Sequence, residues 1–197
     1  MVQTAKKANN STKPQFTVPG LDTGKGAMVA TVLQERLVAL LDLSQTLKHV
    51  HWNVVGPTFI GVHQMIDPQV DGVNAMIDAT AERIATLGAA PNGLAGNLVS
   101  SRRWDDYSLG RAMVAEHLGA LEMVYVKLIT SHRLAMEKVS DSDPVSEDLL
   151  IQQTGTLELY HWFVRAHLES SSGVLSTAGS STERQAAEAA EAAANGH

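Results

Sequence analysis

The 197-residue chain has no cysteine. A disulfide framework is therefore excluded, and so are thiolate zinc and iron–sulfur sites. Basic charge is not in excess. The formal net charge is −6 with the histidines neutral, and nothing in that total suggests a nucleic-acid binder. No apolar run reaches the roughly eighteen residues a membrane span needs. The first residues lack the apolar core of a secretory signal. These absences point to a soluble, cytoplasmic protein. No stretch alternates with the two-residue period of a half-buried strand, and no internal repeat is visible.

What is present is helical periodicity over a length sufficient for one domain with a real core. Residues 1–19 carry Lys6, Lys7 and Lys13 and no acid, and they read as a flexible basic arm. From about 26 to 55, Leu33, Leu37, Leu40, Leu47 and His51 recur at helical intervals until Gly56-Pro57 breaks the pattern. A second helix is expected over about 58–87, stopped by Gly88. Pro68 lies inside it, which predicts a kink or, alternatively, two shorter helices. A long connection over 88–104 leaves room for a short helix near 94–101. A third helix, capped by Asp105 or Asp106, is expected over about 107–139. A fourth starts at Asp143-Pro144 and runs to about 172. The expected architecture is an all-α four-helix bundle over 20–175 with a short helix in its long middle loop. An acidic, alanine-rich tail over 176–197 follows, expected to be a nascent helix or disordered. Trp104, Trp162 and Phe163 are expected in the core.

The chemistry concentrates in K-H-V-H-W-N-V-V-G-P-T-F-I-G-V-H-Q-M-I-D, residues 48–67. His63 and Asp67 are four apart, as are Asp78 and Glu82, so each pair shares a helix face. Eleven residues at about 100° each return to within roughly 20° of the start, so all four fall in one stripe. Length prevents a single-chain site. Asp67 and Asp78 are roughly 16 Å apart along the axis, beyond the reach of ligand bonds near 2 Å. Two separate half-sites, or completion by a second chain, would resolve this. A two-fold dimer places His63 and Asp67 of one copy against Asp78 and Glu82 of the other. His51 joins from the first helix, whereas His49, about 200° away, points elsewhere. Two imidazoles and three carboxylates suit iron, manganese or, less selectively, zinc. Glu158-Leu159-Tyr160-His161 contains the Glu-x-x-His spacing of di-iron bundles. The second copy is missing, since Ala85 stands three after Glu82, and His161 reads as structural.

The same stretch, followed by D-A-T-A-E-R-I, resembles the signature of the Dps proteins, the DNA-binding proteins from starved cells, which are ferritin-like. L-E-L-Y-H-W-F-V-R-A-H-L-E is similar to the family's fourth helix, and the resemblance covers about 17–173. It implies a hollow homododecamer of tetrahedral symmetry. It implies an inter-subunit ferroxidase centre of His51, His63 and Asp67 from one chain with Asp78 and Glu82 from its mate, holding up to two irons. It implies oxidation of ferrous iron, preferentially by hydrogen peroxide, storage of ferric mineral, and Trp52 as an interceptor of radicals. Among Asp141, Asp143, Glu147 and Asp148, the resemblance assigns three-fold iron pores to Asp148 first and Asp143 second. DNA binding, with nucleoid association, would rest on Lys6, Lys7 and Lys13. Two readings compete with the ferroxidase: a nucleoid-compacting protein in which the metal is secondary, and a metal-dependent hydrolase.

Overall fold

The structure is a computed structural model that describes residues 14–196. The Asp22 carboxylate accepts hydrogen bonds from the amides of Gly24 (2.9 Å) and Lys25 (3.0 Å) and caps α1, Thr23–Asn53. Leu33, Leu37, Leu40, Leu43, Leu47 and Val50 form its buried stripe. At its end, Val54–Val55 (β1) pairs in parallel with Ala112–Met113 (β2). Gly56 takes a positive φ of 117°, which reverses the chain into α2, Phe59–Thr86. α2 runs unbroken through Pro68, so the reading as two shorter helices does not hold. Gly88, with a φ of 86°, ends the helix as expected. The short helix α3 spans Ala95–Ser101.

α4 begins later than expected, at Val114, and runs to Val139. Asp105 and Asp106 do not cap it. The β1–β2 pairing holds 112–113 extended, and the Glu116 carboxylate caps the helix by accepting from the Met113 amide at 2.8 Å. α5 spans Pro144–Ala166, six residues short of expectation. The run Ser170-Ser171-Ser172-Gly173 forms a tight turn instead, closed by a bridge between Glu169 and Leu175. The tail holds a helix of its own, α6, Glu183–Asn195. Thr182 caps it, and Ala186, Ala187 and Ala190 are buried where it lies on α4. Gly119 makes that approach possible, because any side chain there would meet the α6 backbone at Ala186.

α1 packs on α2 and α4 on α5, enclosing a core that includes the fully buried Tyr125. Its hydroxyl donates to Gln69 Oε1 at 2.6 Å. The tryptophans depart from expectation. Trp104 is 40% exposed and donates its indole N–H to Asp42 at 2.7 Å, and Trp162 is 50% exposed. Phe163 is half-buried. α5 buries Leu150, Thr154, Leu157 and Val164, a stripe that leaves 162 and 163 to one side.

Asp143, ahead of α5, reaches the guanidinium of Arg83 on α2 at 2.7 Å and the Ser146 hydroxyl at 2.5 Å. Burial pushes its carboxyl up. The hydrogen bonds from Ser146 and Arg83, with the Arg83 charge, outweigh burial and hold it below the usual carboxylate range. A carboxyl with a depressed folded pKa stabilises fully above its unfolded pKa and loses that contribution as pH falls through the folded value. Asp143→Asn is therefore expected to cost about 1–3 kcal/mol at pH 7, and less in acid below the folded pKa, by urea unfolding. An equal cost at both pH values would exclude the charge as its source.

Candidate metal centre

The Gly56-Pro57 reversal folds the end of α1 onto the start of α2. His51 and His63 then stack, with ring centroids 3.7 Å apart and planes 24° apart. Each ring hydrogen-bonds the other residue's backbone: His51 Nδ1 to the His63 carbonyl at 3.1 Å, and His63 Nδ1 to the His51 carbonyl at 2.9 Å. A carbonyl oxygen only accepts, so both Nδ1 atoms carry the proton. In the neutral rings both Nε2 atoms keep a lone pair, the form that binds metal. Asp67 is one turn beyond His63 and completes a group whose ligand atoms all lie within 4.8 Å of one another.

Lys48 belongs to this site although the sequence did not single it out. Its ammonium lies 2.8 Å from Asp67 Oδ1. That hydrogen bond is the largest influence holding the Asp67 carboxyl below its ordinary value; burial opposes it, and the charges of His51, Lys48 and His63 add to it. Lys48 and His51 are three apart on α1, so they share a face, and that spacing was the available signal. His49 turns away as expected, with its Nε2 2.8 Å from the Leu109 carbonyl.

Asp78 and Glu82 do not join the cluster. Both are exposed further along α2, and neither carboxylate has a hydrogen-bond or ion-pair partner among the described residues. One chain thus offers two nitrogens and a carboxylate in one place and two unpaired carboxylates in another. The donor set is hard and fits a divalent transition ion. Trp52, beside His51, is 72% exposed. Glu158 and His161 go separate ways: Glu158 binds Arg133, while His161 Nε2 is 3.4 Å from Glu122. Asp148 is exposed, and its carboxylate accepts from Gln152 at 2.7 Å. Lys6, Lys7 and Lys13 lie outside the described residues.

Residues 30–173 match the ferritin family, described as a ferritin-like domain. The DNA protection during starvation protein of Mycolicibacterium smegmatis is 55% identical over 175 residues, which cover 89% of this chain and 96% of that protein. The chain belongs to the ferritin-like Dps family. Two solved Dps structures share its fold at 55% identity. Mycobacterium smegmatis Dps superposes with a TM-score of 0.83, covering 85% of this chain and 95% of that one. DpsA14 from Streptomyces coelicolor does so with 0.82, covering 83% and 97%. The Dps chain is also 52% identical over 157 residues to the fine tangled pili major subunit of Haemophilus ducreyi, covering 80% of this chain and 83% of that protein.

A metal bound through Asp67 Oδ1 would have to displace the Lys48 ammonium from that oxygen. Lys48→Met is expected to tighten zinc binding roughly two- to fivefold at low salt, the range of a half-exposed ion pair. His63→Ala is expected to weaken it about tenfold or more. Calorimetric titration with zinc reads both, and unchanged affinity in Lys48→Met would show that the lysine does not compete.

Proposed function

We propose that this Dps chain takes ferrous iron as its substrate at centres shared between two copies. It oxidises the iron, preferentially with hydrogen peroxide, and stores the ferric product inside a hollow homododecamer of tetrahedral symmetry. The observation that carries this reading is the half-built site. His51, His63 and Asp67 converge, while Asp78 and Glu82 stand unpaired on the same helix, too far along it to reach them. A two-fold pair of chains supplies each half with the other's missing carboxylates. The family and the 55% identical starvation-protection relative support the reading.

The chemistry follows from the donors. Two ferrous ions give up one electron each. One peroxide takes both, its O–O bond breaks, and with two protons it leaves as two waters. No one-electron reduction to hydroxyl radical occurs on that route. The carboxylates favour the ferric product, because the higher charge gains more from each anionic ligand. Trp52, exposed beside His51, would intercept radicals that escape. A hydrolase would need only a redox-silent ion such as zinc and a bound hydroxide. Anaerobic ferrous loading followed by peroxide separates the two, with ferric absorbance expected to saturate at two irons per peroxide.

His51→Ala and Asp78→Ala should each abolish fast oxidation. A mixture of the two variants that exchanges subunits should recover about a quarter of the wild-type centres. Half of its interfaces are then mixed, and each mixed interface keeps one intact centre. No recovery despite verified exchange would rule out centres shared between chains.

For iron access, Asp148 is the acid this reading retains. Asp143 is buried against Arg83, which takes it out of a solvent-lining role. Repeated about a three-fold axis, Asp148 would focus negative potential on arriving cations. Asp148→Asn is expected to slow uptake several-fold at low ionic strength and less at high, and an unchanged initial rate at low salt would remove the pore role.

The cytoplasmic protein would bind DNA only through Lys6, Lys7 and Lys13, multiplied across twelve arms. Deleting residues 1–15 is expected to abolish a salt-sensitive mobility shift seen at about 50 mM salt and weakened at about 200 mM. A full-length cage that leaves DNA unshifted at the lower salt would confine protection to iron chemistry.

A further inference from the structure

Arg36 on α1 is 8% exposed, and a guanidinium is always charged. Buried charges are ordinarily paired with an acid, because leaving one unpaired is costly. Arg36 has no such partner among the described residues. Its Nη1 donates to the Ser131 hydroxyl at 2.5 Å. Its Nε is buried without a partner, and Nη2 makes no hydrogen bond among the described residues. The adjoining side chain on α4 is His132, which is fully buried. Burial first, and then the charge of Arg36, lower the pKa of His132 to about 4, so it is a neutral neighbour and supplies no counter-charge. Glu35 is the nearby acid that acts on Arg36, but it is exposed and makes no ion pair with it.

Arg36 and Ser131 form part of the wall of a cavity of about 470 Å³ between α1, α4, the 104–108 segment and the start of α6. Such a volume suits a small organic molecule. Apolar groups make up much of the lining, including Ala39, Leu43, Val124 and Leu128, with Trp104 at one side. Three of the four acids that border it are already engaged, Asp106 with Arg102 among them, and the fourth, Asp105, is exposed and makes no hydrogen bond or ion pair among the described residues. Asp42 accepts from Arg102 (3.1 Å) and Trp104 (2.7 Å), and Glu183 accepts from the Ser108 amide (3.0 Å). Lys127, exposed at the rim, has no ion-pair partner among the described residues. The cavity thus combines an apolar body with a cation buried in its wall that no acid pairs and a second cation at its mouth, while its one free acid, Asp105, is exposed on the 104–108 segment.

We propose that this cavity binds a small amphiphilic carboxylate, with its head group on the Arg36 guanidinium and its apolar chain against Leu43, Val124 and Leu128. Arginine suits that head group because its planar fork of donors matches a carboxylate. The site is separate from His51, His63 and Asp67 and requires no metal. Because Ser181 to Arg184 line one side of the cavity, binding would also tie the start of α6 to the bundle.

The test is calorimetric titration of the full-length assembled protein with octanoate, with octanol and inorganic phosphate as separate arms, while tryptophan emission is recorded. Octanoate is expected to saturate at one per chain and to shift the emission. Octanol and phosphate are each expected to bind at least tenfold more weakly. Arg36→Met should lower octanoate affinity at least tenfold. Trp104→Phe should keep the binding but lose most of the emission change. Octanol equal to octanoate would overturn the role of Arg36, phosphate equal to octanoate would overturn the apolar half of the site, and no saturable octanoate binding would overturn the whole. The three-ligand comparison on the unmodified protein decides the matter even if Arg36→Met fails to assemble.

Discussion

The stiffness of α2 governs the arrangement of this protein. A helix is a rod with a fixed rise, and the eleven residues between Asp67 and Asp78 cannot be shortened without breaking it. α2 is unbroken through Pro68, so the two carboxylate positions keep their distance. In the proposed arrangement, a chain built this way holds part of the ligand set at each of two places. Self-association of such a chain is then more than a packing outcome, because the chemistry proposed here needs it.

Register does the rest of the local work. The reciprocal contacts of His51 and His63 with each other's carbonyls fix where α1 stops relative to where α2 starts. They also fix which nitrogen of each ring is free. Backbone geometry thereby sets which ring nitrogen donates, and the Asp67 carboxylate lies 3.3 Å from His51 Nδ1 on the same side. The positive φ at Gly56 is the hinge that permits it, and the short β1–β2 pairing anchors the same corner to the segment before α4.

The cluster of His51, His63 and Asp67 was readable in the sequence because His63 and Asp67 obey helical spacing; the same spacing pairs Asp78 with Glu82, which stand apart from it in one chain. The fold class was readable for the same reason. Apart from the early end of α5, the misjudged parts depend on long-range partners. α4 starts at Val114 because Val54 and Val55 hold 112–113 extended, a pairing with no local signature. Asp105 and Asp106 looked like caps because nothing nearby showed that pairing. Trp104 stays at the surface because Asp42, sixty-two positions away, takes its N–H. The docking of α6 was hidden because its short alanine face buries only against the backbone space left at Gly119 on α4, a partner with no local signature. Lys48 was passed over because lysines on helices usually face water, and its partner lies across the hairpin.

In the proposed centre, the contact between Lys48 and Asp67 would set a threshold for loading. An incoming ion must displace an ammonium that is permanently tethered, so its local concentration does not fall when the solution is dilute. Loading is then an exchange of one cation for another. A monovalent ion gains little from that exchange, whereas a divalent one gains the full coordination of the imidazoles and carboxylates. In the proposed centre the lysine would act as a resident competitor that raises the iron concentration needed for loading.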